Sequence, residues 1–258
     1  MDIAERRRLG TMPLHAITAQ YGAAGLRERF AIETAHLPEQ DRQRLALALE
    51  LAARLHAADR RQREPYVNHL LRVAIRITCY YHVTDPDVIC AALLHDAVED
   101  HAAELADDGS QPGALAALAA QFGDRVAALV GDLTNPEYET GRAEHDQYRE
   151  HVATSLDASP WARVIKASDF TDNGVGLIHT TGPAVPRLAA KYAPLVPVLA
   201  ELIARPDTPL NDDVRAHILD QLGRAQERFA AILPARDAID RPARGTDRPA
   251  HGTADQAP

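Results

Sequence analysis

Apolar residues recur along this chain mostly at three- and four-residue intervals, the period of helices packed on a core, and few stretches alternate as a half-buried strand does. From Pro38 to about Arg61 the spacing predicts an amphipathic helix, with Leu45, Leu47, Leu49, Leu51, Ala52 and Leu55 apolar and Pro38 and Glu39 suited to a first turn. A basic, polar loop from Asp59 to Pro65 follows, and a second helix is expected from about Tyr66 to Tyr81. Asp85 and Pro86 read as the N-cap and first position of a third. Its continuous apolar run, Val88 to Leu94, predicts burial nearly all round.

Beyond a loop around residues 107–113, short helices are expected over 114–122 and 125–133, then over 145–156, an apolar segment over 161–168, and helices over 188–204 and 211–233. Pro194 and Pro197 should kink or break the first of that last pair. The resulting fold class is all-α, a helical bundle. Residues 1–37 form a partly helical N-terminal extension, with one helix expected near 25–35, residues 38–234 the main domain, and 235–258 a tail whose Arg, Asp, Pro, Gly and Thr composition reads as disordered.

Composition narrows the function classes. Of 258 residues 46% are hydrophobic and 25% charged, an ordinary balance for a globular protein, and no apolar run reaches the roughly 20 residues that span a bilayer. The N-terminus has arginines but no apolar stretch behind them, so no signal peptide is read there and a cytoplasmic location is expected, with no membrane partner. Two cysteines, Cys79 and Cys90, are too few for a disulfide scaffold and read as buried thiols. Lys and Arg number 28 against 37 Asp and Glu, a formal charge of 28 − 37 = −9, which disfavours a nucleic-acid partner. An anionic substrate would need a local positive site.

The chemistry is concentrated where the apolar run ends, at His95, Asp96, Glu99 and Asp100. Read as one continuous helix, His95 and Glu99 stack at i, i+4, as do Asp96 and Asp100. Acidic groups in the last turns of a helix oppose its dipole and ask for a cation. A histidine upstream, His69, and an aspartate downstream, Asp169, each follow their own apolar segment.

His…His-Asp…Asp is the ligand pattern of the HD superfamily of metal-dependent phosphohydrolases. The strings from Pro65 to His69 and from Ala91 to Asp100 resemble the hydrolase domain of RelA/SpoT homologues and the free-standing small alarmone hydrolases. The stretches from Leu118 to Val130, Leu133-Thr134, and Ser159 to Asp169 with Asn173 resemble later segments of the same family, in order. The resemblance implies an HD-domain helical bundle with a metal site between core helices, and hydrolysis of (p)ppGpp that releases 3′-pyrophosphate and leaves GDP or GTP. Such an enzyme acts on a small nucleotide in the stringent response; a homo-oligomer is compatible with the sequence.

Position by position, the resemblance implies one divalent metal, Mn²⁺, held by His69, His95, Asp96 and Asp169, with Glu99 and Asp100 orienting and deprotonating the attacking water. Arg60, Arg61 and Arg63 fall in the family's basic substrate loop, shorter here by one residue or more. Tyr66, Lys166 and Asn173 complete the substrate-binding set, although Tyr66 reads equally as a packing aromatic and Lys166 as a surface charge. Two departures matter: Phe170 stands where the family commonly has Arg or Lys, and Asp172 where it has His or Tyr. Loss of a cation and gain of a carboxylate there would weaken anion binding or change the nucleotide, leaving two alternatives, an HD phosphohydrolase for another nucleotide and a non-hydrolysing nucleotide sensor. The remaining histidines, His56 and His101 among them, lack a second ligand at convincing sequence spacing and read as structural or solvent-facing.

Overall fold

In the computed structural model, which describes residues 2–61 and 64–233, the helical period of the sequence becomes a stack of helices. These are α1 (Ile3–Leu9), α2 (Leu14–Thr34), α3 (Glu39–Leu55), α4 (Val67–Cys79), α5 (Pro86–Leu94), α6 (Ala97–Leu105), α7 (Gln111–Phe122), α8 (Asp124–Leu133), α9 (Glu144–Ser155), α10 (Pro160–Asn173), α11 (Ala184–Tyr192), α12 (Leu195–Ala204) and α13 (Asp212–Ile232). Two-residue strands β1 (Arg60–Arg61) and β2 (Glu64–Pro65) pair antiparallel between α3 and α4, the only strands among the described residues. No described helix is long and apolar enough to cross a membrane. Residues 235–258, expected as a tail, and Arg63 lie outside the described residues.

The core is built on α5. Asp85 caps it by accepting from the Asp87 N–H, Pro86 opens its first turn, and every residue from Val88 to Leu94 is buried. Helices α3, α4, α8 and α10 pack around it. Helix α4 lies between α5, α10 and α2, so that its polar residues Asn68, His69, Arg72 and Arg76 are buried along with its apolar ones. Buried charge is tolerated only when paired, and the partners of these groups, described below, define the site.

Several boundaries differ from the sequence expectation. Helix α3 stops at Leu55, with His56 as its cap, and the next residues turn back into β1. Helix α2 is twice as long as expected, kinked at Gly22 (φ 59°), and places Leu14, Ile17, Leu26 and Phe30 in the core. Pro194 divides α11 from α12, as proline should. Helix α10 continues past 168, carrying Asp169 and Asn173 within its last turns. Cys90 is buried, but Cys79 is only half-buried, with its Sγ accepting from Arg29 at 3.0 Å.

The largest difference lies at the chemistry. The apolar run does not carry its helix through Asp100; α5 ends at Leu94 and α6 begins at Ala97, with His95 and Asp96 at the corner. The i, i+4 relation survives between Asp96 and Asp100, whose N–H donates to the Asp96 carbonyl at 3.0 Å, but the segment is not the one continuous helix that the sequence reading assumed. Glu99 and Asp100 sit in the first turn of α6, where the dipole favours negative charge, so the dipole argument for a cation is reversed.

Candidate metal centre

Three elements bring the ligand candidates together. His69 comes from the first turns of α4, His95 and Asp96 from the α5–α6 corner, and Asp169 from α10. His69, His95 and Asp169 each offer one ligand atom within 4.8 Å of the others. Oδ1 of Asp169 is 3.3 Å from His69 Nε2 and 3.7 Å from His95 Nε2. Oδ2 of Asp96 is 3.1 Å from His95 Nε2 and 3.7 Å from His69 Nε2.

The imidazole orientations test whether a metal fits. His95 Nδ1 lies 2.8 Å from the Ala92 carbonyl and His69 Nδ1 lies 2.8 Å from Asp172 Oδ2, so each Nδ1–H has an acceptor and each Nε2 lone pair is turned inward. Both Nε2 atoms are buried and make no hydrogen bond. Two inward lone pairs beside two carboxylates form a donor set that suits a first-row divalent cation rather than a thiolate-loving structural zinc. The same negative field raises the His95 pKa to about 10: burial alone would lower it, but Asp96 and Asp169 outweigh burial.

Each carboxylate is held in turn. Asn173 Nδ2 donates to Asp169 Oδ1 at 2.6 Å and Lys166 Nζ to Asp169 Oδ2 at 2.9 Å. Lys166 is thus a buried ion-pair partner 5.4 Å from the Tyr148 ring, not a surface charge. The Tyr66 hydroxyl donates to Asp96 Oδ2 at 2.7 Å, so Tyr66 is more than a packing aromatic.

Asp172, expected to repel an anion, does something else. Its carboxylate is 1% exposed and is met by His69, by Arg72 Nε at 2.8 Å and by Arg76 at 3.3 Å. Burial pushes its pKa up, but His69 and Arg72 outweigh that and hold it well below the usual carboxylate range. Arg72 also forks onto Glu64 of β2 at 2.8 and 2.9 Å. Phe170 is buried with its ring edge-on to Tyr192 at 5.9 Å, so its position contributes packing and no charge.

Glu99 and Asp100 reach solvent from the first turn of α6. The side-chain amide of Asn135 donates to both Glu99 oxygens at 2.9 Å, a partner that the sequence reading missed. Partial desolvation, then the charges of Asp96 and Glu99, raise the Asp100 pKa to about 6. Beside the cluster opens a cleft of about 540 Å³ whose lining includes Arg60, Arg61, Arg187, His179, Asn173 and Tyr192. Arg61 donates to Asn173 Oδ1 and stands 5.5 Å from the Tyr66 ring centroid, whereas Arg60 is exposed on the rim. Arg187, His179 and Tyr192 carried no sequence signal; α11 brings Arg187 and Tyr192 to the cleft, and the short 3-10 turn Val175–His179 after α10 brings His179.

The helices hold this His/Asp cluster between them, and the HD domain family model matches residues 48–157, a little under half of the chain, so the fold and the cluster are similar to those of HD-domain proteins. That match stops short of Asp169, which the fold supplies from α10. Among relatives, the guanosine-3′,5′-bis(diphosphate) 3′-pyrophosphohydrolase MESH1 of Drosophila melanogaster is 32% identical over 128 residues, 48% of this chain and 64% of that protein. MESH1 of Homo sapiens is 33% identical over 129 residues, 47% and 63% of the two chains. The guanosine-3′,5′-bis(diphosphate) 3′-pyrophosphohydrolase of Aquifex aeolicus (strain VF5) is 30% identical over 159 residues, 60% of this chain and 20% of that one. The chain thus spans less than two thirds of the length of these relatives. A solved structure described as a metazoan ortholog of SpoT that hydrolyzes ppGpp superposes with a TM-score of 0.54 at 25% identity, covering 70% of this chain and 94% of that one.

Proposed function

We propose that this protein is a metal-dependent hydrolase of (p)ppGpp that releases the 3′-pyrophosphate and leaves GDP or GTP. The observation that carries the reading is the pair of buried, unpartnered Nε2 atoms of His69 and His95, which face Asp96 and Asp169 beside an arginine-lined cleft. The likeness to enzymes named for this reaction supports the substrate. His69, His95, Asp96 and Asp169 would hold one cation, Mn²⁺ in this reading. When bound, it supplies Lewis-acid activation of water and of the attacked phosphoryl group.

The remaining work falls to the chain. Asp100, with a pKa of about 6, accepts the proton of the attacking water near neutral pH. Glu99, fixed by Asn135, orients that water. Arg60, Arg61 and Arg187 neutralise the diphosphate, which answers the −9 balance with a local positive wall. Asn173 joins the two halves of the site, since it contacts both Asp169 and Arg61. The compartment in this reading is the cytoplasm and the physiological setting is the stringent response.

A second reading, an HD phosphohydrolase for another nucleotide, is favoured by one observation: the buried Phe170 removes a cation that the resemblance leads one to expect at the substrate end. The deciding assay gives the Mn²⁺-loaded protein ppGpp, deoxynucleoside triphosphates and cyclic dinucleotides in parallel. Pyrophosphate release from ppGpp is the expected result. Turnover of another nucleotide with none of ppGpp selects the second reading, and nucleotide binding without any turnover selects a sensor.

A further inference from the structure

Outside that centre, three groups that the sequence leaves far apart converge. His56 caps α3, Asp59 precedes β1, and His101 is the one residue of α6 with non-helical backbone angles (φ −136°, ψ 31°). Asp59 Oδ2 lies 2.8 Å from His56 Nδ1 and 2.8 Å from His101 Nε2, and these two nitrogens are 3.2 Å apart. Ligand atoms of a tetrahedral site with metal–nitrogen bonds of about 2.0–2.1 Å stand roughly 3.3 Å apart. The triangle is therefore close to metal-ligand size, and only Asp59, 34% exposed, needs to swing outward slightly.

His101 is held in the way metal-binding histidines are, and His56 by ring packing. His101 Nδ1 lies 3.1 Å from Glu104 Oε1, the carboxylate partner that leaves Nε2 as the ligating atom. The His56 ring stacks on Tyr66 (4.6 Å, 11°) and meets His101 edge-on (4.5 Å, 85°), which fixes its direction. Nε2 of His56 is buried without a partner, so Nδ1 is the nitrogen with polar company. Burial keeps His56 below its ordinary pKa, whereas at His101 the bonds to Asp59 and Glu104 outweigh burial and raise it.

We propose that His56, Asp59 and His101 form a second divalent-cation site, of the two-histidine, one-carboxylate kind that takes Zn²⁺ or Co²⁺, with water completing the coordination on the exposed Asp59 side. Tyr66 separates it from the first centre: one face of its ring meets His56, its ring lies 5.6 Å from that of His69 and nearly perpendicular to it, and its hydroxyl donates to Asp96. A cation there would pin Asp59 and with it the adjoining Arg60 and Arg61, so the site would set the position of the cleft's basic wall. The donor set stands independently of which nucleotide, if any, is hydrolysed.

The test is metal stoichiometry, read without nucleotide. The full chain, stripped with chelator, is titrated with Zn²⁺ and analysed for bound metal, and in parallel with Co²⁺ followed by visible absorption. Two equivalents are expected for the wild type, and one for His101→Ala and for Asp59→Asn, each with a wild-type melting temperature in the metal-free state. Asp59→Asn, at the more exposed position, decides the matter if His101→Ala does not fold. An Asp169→Asn chain should keep the His101-dependent equivalent even if the first centre is lost. Equal stoichiometry in the wild type and both variants, whether one or two, overturns the proposal.

Discussion

Nδ1 of His69 and Oδ2 of Asp172 lie 2.8 Å apart, inside a knot where Arg72 and Arg76 also meet Asp172. This contact sets the tautomer of a metal-ligand candidate, and such outer partners are commonly worth 10- to 100-fold in metal affinity. Asp172→Asn keeps the shape and an acceptor but removes the charge. Mn²⁺ affinity by calorimetry should fall by about 10- to 100-fold. Unchanged affinity would show that Asp172 serves packing alone.

Glu99 and Asp100 are expected to carry proton transfer and not metal binding. The double change Glu99→Gln, Asp100→Asn should reduce kcat by about 10²- to 10⁴-fold while metal content stays at the wild-type level. Asn135→Ala, which frees Glu99, should give a smaller fall. Wild-type rates in the double variant contradict the role assignment.

Asp100 also predicts a pH profile. With its pKa raised to about 6 and a bound cation able only to pull it down, the acid limb of kcat/KM should lie at or below pH 6. A limb centred above pH 7 assigns the base elsewhere.

His15, on the cleft, gives a stability signature. Burial first, then the charge of Arg72, lower its pKa from 6.5 to about 4. The unfolded chain takes up this proton near pH 6.5 and the folded chain only near 4. The residue's contribution is therefore complete above pH 6.5 and is lost as pH falls towards 4. In thermal melts, His15→Gln should flatten the decline in Tm across that window, and an unaltered decline counts against it.

Lys166 and Asp169 are a buried ion pair, and removing one partner of such a pair costs about 3–5 kcal/mol. Lys166→Met should destabilise the metal-free protein by that order. Added Mn²⁺ should restore part of the loss, because a cation at Asp169 replaces the missing charge. Equal loss with and without Mn²⁺ would separate Lys166 from the metal centre.

Much of this was readable in the chain. Asp85-Pro86 and the run to Leu94 marked the central helix, and the resemblance to the HD superfamily picked out the four ligand candidates. The corner at His95 and Asp96 was not readable, because Ala97, Val98 and Glu99 continue a helical pattern and periodicity does not register a change of axis. His56 and His101 looked unrelated because 45 residues separate them, and only the packing of α3 beside α6 joins them. Asp172 was misread for a different reason: its charge is visible in sequence, but the arginines that neutralise it, one and two turns along α4 from His69, are assigned to it only by the fold.

The corner between α5 and α6 also has a consequence for how this site can vary. His95 takes its direction from the end of one helix, whereas Asp96 is the N-cap of the next, whose first turn carries Glu99 and Asp100. A residue added or removed just after Asp96 would turn both acids by about 100°, a full side-chain position on an α-helix. It would leave His95, anchored on Ala92, where it is. Ligands and acids are thus set in phase by the length of two residues, and substitutions on either side are tolerable where an insertion is not.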